Sequence, residues 1–115
     1  MDAAPHQRLA GLYLKTNQQE KAIDQLKILE AVELKDNRYA KRIARLYRDE
    51  QKPKDAAKFA QTAVYTDPYD LDAHKLLAQL YEQAGDKTGL DREQRVIPVL
   101  EKWIEDNRRK QAAGE

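Results

Sequence analysis

The sequence predicts an all-α fold: a right-handed superhelix, or solenoid, of three stacked helix pairs closed by a carboxy-terminal capping helix. Three observations point there. The strings Leu9-Ala10-Gly11-Leu12-Tyr13, Ile43-Ala44-Arg45-Leu46-Tyr47 and Leu77-Ala78-Gln79-Leu80-Tyr81 share one pattern and recur at intervals of 34 residues. Apolar residues around each string follow the i, i+3, i+4 spacing of a helix buried along one face. Sixteen alanines stand against four glycines among 115 residues, a balance that favours helix.

The elements follow in order. A first helix carries Leu9, Leu12 and Tyr13. Asn17 tolerates the left-handed backbone that ends such a helix. Ala22, Ile23, Leu26, Leu29 and Val32 form the stripe of a second helix. The third carries Ile43, Leu46 and Tyr47, and Pro53 opens the fourth at a favoured first-turn position. Its stripe is Ala56, Phe59, Ala60, Ala63 and Val64, and Asp67-Pro68 ends it. Asp70 is placed to cap a fifth helix from Leu71, which carries Leu77, Leu80 and Tyr81 and stops at Gly85. A sixth helix is expected over residues 87–97. Pro98 then either kinks it or opens a new helix, and a separate capping helix to about Lys110 is expected. Ile97, Leu100 and Ile104 would cover the open end, and residues 111–115 should fray. The whole chain, 1–115, thus reads as one domain with units at 3–36, 37–70 and 71–97 and a cap at 98–110.

These residues resemble the tetratricopeptide repeat. Its unit is 34 residues with a large residue, Leu, a small residue and Tyr in the first helix, then Ala, an aromatic and a closing Pro. The middle unit matches with Ile43-Ala44-x2-Tyr47, Ala56 and Pro68. The first offers Leu9-Ala10-x2-Tyr13, Ala22 and Leu26; the third offers Leu77-Ala78-x2-Tyr81 and Gly85-Asp86, with Leu90 in the Ala place. His6, Ala40 and His74 stand where the opening Trp is usual, and Leu34 replaces the first closing Pro. Small residues at Ala10, Ala44, Ala78, Ala22 and Ala56 would let paired helices approach closely. Tyr13, Tyr47 and Tyr81 would fill the gaps between units, hydroxyl at an edge.

Function is narrowed first by exclusion. With 21 Lys+Arg, 20 Asp+Glu and a net charge of +1, bulk attraction to nucleic acid or anionic lipid is not expected. No apolar stretch is long enough to span a bilayer, and residues 1–5 lack the features of a signal peptide. The compartment stays unassigned. There is no Cys, no glycine-rich phosphate loop and no His-Glu-x-x-His string, so no catalytic residue, metal or cofactor is assigned. His6 and His74 are expected to fill the packing position of the missing Trp.

The resemblance implies a non-catalytic scaffold whose first helices line a concave peptide-binding face. On that face Arg38, Lys41, Arg45 and Arg48 fall at intervals of three and four, with Arg42 alongside. Lys75 would extend the strip, with Gln79 as a polar neighbour. A row of guanidinium groups suits carboxylates, so another protein or peptide, acidic segments included, is the expected partner. Acids on neighbouring helices, Asp72 and Glu82, would counter the strip. The carboxylate-clamp positions by which some such repeats hold chaperone tails correspond to Gln7, Gly11, Arg42, Asp72 and Leu76, none of which fits. The rival expectations are a structural piece that self-associates through its open amino-terminal edge, and an accessory carboxy-terminal domain of a longer protein or enzyme.

Overall fold

The computed structural model describes residues 3–114, and every regular element among them is helical. Six helices follow one another: α1 Ala4–Lys15, α2 Gln19–Val32, α3 Arg38–Asp49, α4 Pro53–Thr66, α5 Leu71–Ala84 and α6 Lys87–Ala112. The principal packing is between consecutive helices, α1 with α2 through to α5 with α6. The result is elongated, 45 × 38 × 21 Å. Its radius of gyration is 16.0 Å, against about 13 Å for a compact domain of similar length.

Turn chemistry explains the regular spacing. Asn17, Gln51 and Gly85 all have positive φ, at 57°, 61° and 75°. At each, the next residue's N–H reaches back to a tyrosine carbonyl: Gln18 to Tyr13 (2.8 Å), Lys52 to Tyr47 (2.9 Å) and Asp86 to Tyr81 (2.9 Å). The N–H groups of Asn17, Gln51 and Gly85 close the inner bonds to Leu14, Arg48 and Glu82. Three Schellman turns, 34 residues apart, therefore end α1, α3 and α5. The Asp70 side chain caps α5 by accepting from the Ala73 N–H, and Asp86 caps α6 from Gly89. Pro53 is the first residue of α4, where no N–H is needed.

Packing joins neighbouring pairs. Ala10, Ile23, Leu26, Leu29, Tyr39 and Ile43 form one buried cluster across α1, α2 and α3. Ala44, Ala56, Ala57, Ala60, Leu76, Leu77, Leu80 and Tyr81 form another across α3, α4 and α5. Ala22, Ala44 and Ala56 are fully covered, as close helix approach requires. The tyrosines are less uniform than expected. Tyr81 is buried, whereas Tyr13 and Tyr47 are half-buried. Tyr39 is buried as well, its hydroxyl accepting from Gln7 Nε2 at 2.7 Å.

One expectation is corrected. No break occurs at Ile97, and there is no separate capping helix over 98–110; α6 runs unbroken for 26 residues with Pro98 inside it. Gln94 and Pro98 are both exposed, so the carbonyl that loses its N–H partner can be solvated. Buried Leu100 and half-buried Ile97 and Ile104 hold both sides of the proline to the body. The helix continues through Gln111 and Ala112; Glu115 lies outside the described residues.

Candidate functional site

The basic strip begins on α3, and the structure supplies its counter-charges. Lys41 Nζ lies 2.8 Å from Asp70 Oδ2 and 3.6 Å from Asp72 Oδ2. The same Asp70 oxygen accepts from Asn37 Nδ2 at 2.8 Å, while Oδ1 caps α5. Burial alone would raise the Asp70 carboxyl. The Lys41 and Asn37 hydrogen bonds, the Ala73 N–H and the Lys41 charge outweigh it and hold the carboxyl below its ordinary value. Lys41 is thus committed to the α4–α5 junction, where Asn37 shares its Asp70 partner. Arg38 folds back on Asp36 at 2.6 Å, and this pair holds the Asp36 carboxyl down despite some burial.

The next two arginines reach across to α5. Arg45 Nη2 meets Asp72 Oδ2 at 2.6 Å. Arg48 Nη1 donates to Gln79 Oε1 at 3.3 Å, and its Nε sits 3.3 Å from Asp49. Between the two helices lies a cleft of about 380 Å³ lined by Arg45, Arg48, Asp72, Lys75, Leu76 and Gln79. The structure therefore brings together four of the seven expected residues: Arg45, Arg48, Lys75 and Gln79. Arg38, Lys41 and Arg42 do not line the cleft. Arg42 and Lys75 are exposed and have no acidic partner within salt-bridge distance among the described residues. Three cations and one carboxylate face the cleft around Leu76, which is itself buried in the core, an arrangement suited to an anionic group. Asp72 is the acid that would counter the strip; Glu82 is outside the cleft lining.

The histidines take packing roles with polar partners. His74 and Glu93 are both buried, with Nδ1 and Oε2 2.6 Å apart. His74 Nε2 lies 2.8 Å from the Pro68 carbonyl. A carbonyl only accepts, so Nε2 carries hydrogen, and Nδ1 faces the Glu93 carboxyl. His6 makes the corresponding bond to Gln25 at 2.7 Å, again 19 residues on. A common spacing of His with a polar residue was present in the sequence and would have revealed both pairs. Among the described residues no group of three or more His, Asp or Glu could hold a metal ion, and no helix is long and apolar enough to cross a membrane.

Among the described residues, exposed apolar side chains include two groups at helix surfaces. Leu9 and Leu12 are exposed at the amino-terminal edge. On α6, Val96, Val99 and Trp103 are exposed beside Tyr69. In the sequence that face is masked by Pro98, which sits in its middle and favours a helix boundary there. No protein-family model matches this chain, and no curated protein matches it.

Proposed function

We propose that this chain is a tetratricopeptide-type helical stack that holds an extended acidic segment of another protein along its α1, α3 and α5 side. Three identical turns at a 34-residue interval and packing between consecutive helices support the repeat reading. The observation that carries the binding reading is the α3–α5 cleft, where Arg45, Arg48 and Lys75 face a single carboxylate, Asp72. An incoming carboxylate would take over the long Arg48 bonds to Gln79 and Asp49 and pair with Lys75. Gly11, on α1, has open space where a side chain would project, leaving room for a ligand to continue along the wall.

The test is affinity capture from lysate followed by mass spectrometry, with Arg45→Glu/Arg48→Glu as control. Hydrogen bonds to charged groups are worth about 1.5–3 kcal/mol each. The double reversal should therefore remove specific partners and weaken any acidic peptide at least tenfold. Recovery of the same partners at the same yield would reject the basic cleft as the binding surface.

A further inference from the structure

The second cleft, about 360 Å³, lies between α6 and the α4–α5 junction and is lined by Pro68, Tyr69, Arg95, Val96, Val99, Leu100 and Trp103. Tyr69 and Trp103 rest on each other with ring centroids 4.7 Å apart. Yet Tyr69 remains 62% exposed, Val99 70% and Trp103 48%. With Val96, these side chains leave about 400 Å² of largely apolar surface in water. That matches the largest patches found on monomeric proteins and is about half of what each partner covers in a stable dimer.

The sequence of α6 specifies what fits there. Arg92, Val96, Val99, Trp103 and Asp106 advance by four, three, four and three residues, the spacing of a helix–helix seam. The apolar centre is flanked by opposite charges. Arg92 and Asp106 lie seven residues to either side of Val99, about 10.5 Å each way at 1.5 Å per residue. Both are exposed, and neither has an ion-pair partner among the described residues. A second copy of α6 laid antiparallel across Val99 brings Arg92 to Asp106 of that copy, and Asp106 to its Arg92. The same rotation places Arg95 near Trp103 of the second copy, within reach of a cation–π contact. A parallel arrangement would set Arg92 against Arg92 and Asp106 against Asp106.

We propose that this face of α6 is the two-fold interface of a homodimer, with a second copy of the chain as its occupant. The interface is isologous: one patch, apolar at its centre and charged with opposite signs at its ends, meets itself. It is separate from the α3–α5 cleft, so both surfaces are open together.

Sedimentation velocity on the full 115-residue chain from 1 to 500 μM tests this. The expected result is a concentration-dependent rise from 13.3 kDa toward twice that mass. Val99→Asp should abolish it; the exposed site keeps the fold, checked by circular dichroism. Arg92→Asp or Asp106→Arg alone should weaken dimerisation at least tenfold, and Arg92→Asp/Asp106→Arg together should restore it to within about threefold. A monomer at every concentration overturns the proposal, as does a double exchange that fails to restore. A dimer that survives Val99→Asp but is lost on Leu12→Glu also overturns it, placing self-association at the amino-terminal edge.

Discussion

Two glycines in helices give opposite answers to the same substitution. A methyl group added at Gly89 in α6 would lie 2.8 Å from Cγ, Cδ2 and Cε2 of Tyr81. Carbon atoms pack at about 3.5–4.0 Å, so the ring would have to retreat by about 0.7 Å or more. Tyr81 has little freedom to retreat, since it is only 4% exposed and its hydroxyl is bonded to Gln61. Overpacking of this kind costs about 1–3 kcal/mol, and the better helix propensity of Ala returns at most about 1 kcal/mol. Gly89→Ala should thus lose about 1–2 kcal/mol. Gly11, inside α1, has nothing within 4 Å of the same methyl position. Gly11→Ala should gain about 0.5–1 kcal/mol. Urea denaturation of both variants reads the difference, and thermal melting should move by about 4 °C per kcal/mol in opposite directions. Tyr81→Leu should relieve the Gly89→Ala penalty in a double-mutant cycle. A stabilised Gly89→Ala would refute the packing of α6 on α5.

Three further outcomes follow from the polar contacts and from Pro98. Because the folded-state pKa of Asp70 is depressed, its contribution is complete above the unfolded value of about 3.9 and is lost as pH falls through the lower folded value. Asp70→Asn should cost about 1–2 kcal/mol at pH 7 and flatten the acid side of the stability profile; an unchanged profile in urea melts from pH 2 to 7 would contradict this. Glu93→Gln should be tolerated within about 1 kcal/mol, as Gln25 serves His6 in the first pair, whereas Glu93→Leu leaves His74 Nδ1 unpaired and should cost about 1–3 kcal/mol by chemical denaturation. Pro98→Ala restores an N–H to the Gln94 carbonyl in an exposed stretch of α6, and should raise stability by about 1–3 kcal/mol; an unmoved or lowered unfolding midpoint would show that the proline is not strained.

Much of the helical layout was legible because local signals agree with packing. Asn17, Pro53, Asp70 and Gly85 mark boundaries through backbone preference and capping, and the structure uses each of them so. Gln51 has no such preference, yet adopts positive φ because its place in the 34-residue register demands it. The midpoint of the interval from Asn17 to Gly85 falls on that residue, although nothing in its side chain marks it. Pro98 misled for the converse reason. Its intrinsic effect is strong, but Leu100 and Ile104 anchor the helix beyond it and water can serve the freed carbonyl. The candidate cleft was legible only in part. Helical spacing identified Arg45 and Arg48, but which cations are already paired depends on distances across helices. Lys41 looked equivalent to Arg45 on the helix face, and its ammonium is instead absorbed by Asp70 at a junction. The α6 groove stayed hidden because it needs Tyr69, from a turn, beside Val99 and Trp103 from a helix thought to be broken.

Because each helix leans chiefly on the one before and the one after it, ordering this chain never requires remote stretches to find each other first. Loop-closure penalties stay small, and assembly can start at any hairpin and spread to either side. Rapid folding, on a timescale of about microseconds to milliseconds, is expected from that layout and would be read by temperature-jump or stopped-flow refolding. Damage should stay local by the same logic: a lesion in α1 loosens α2 well before it is felt at α6.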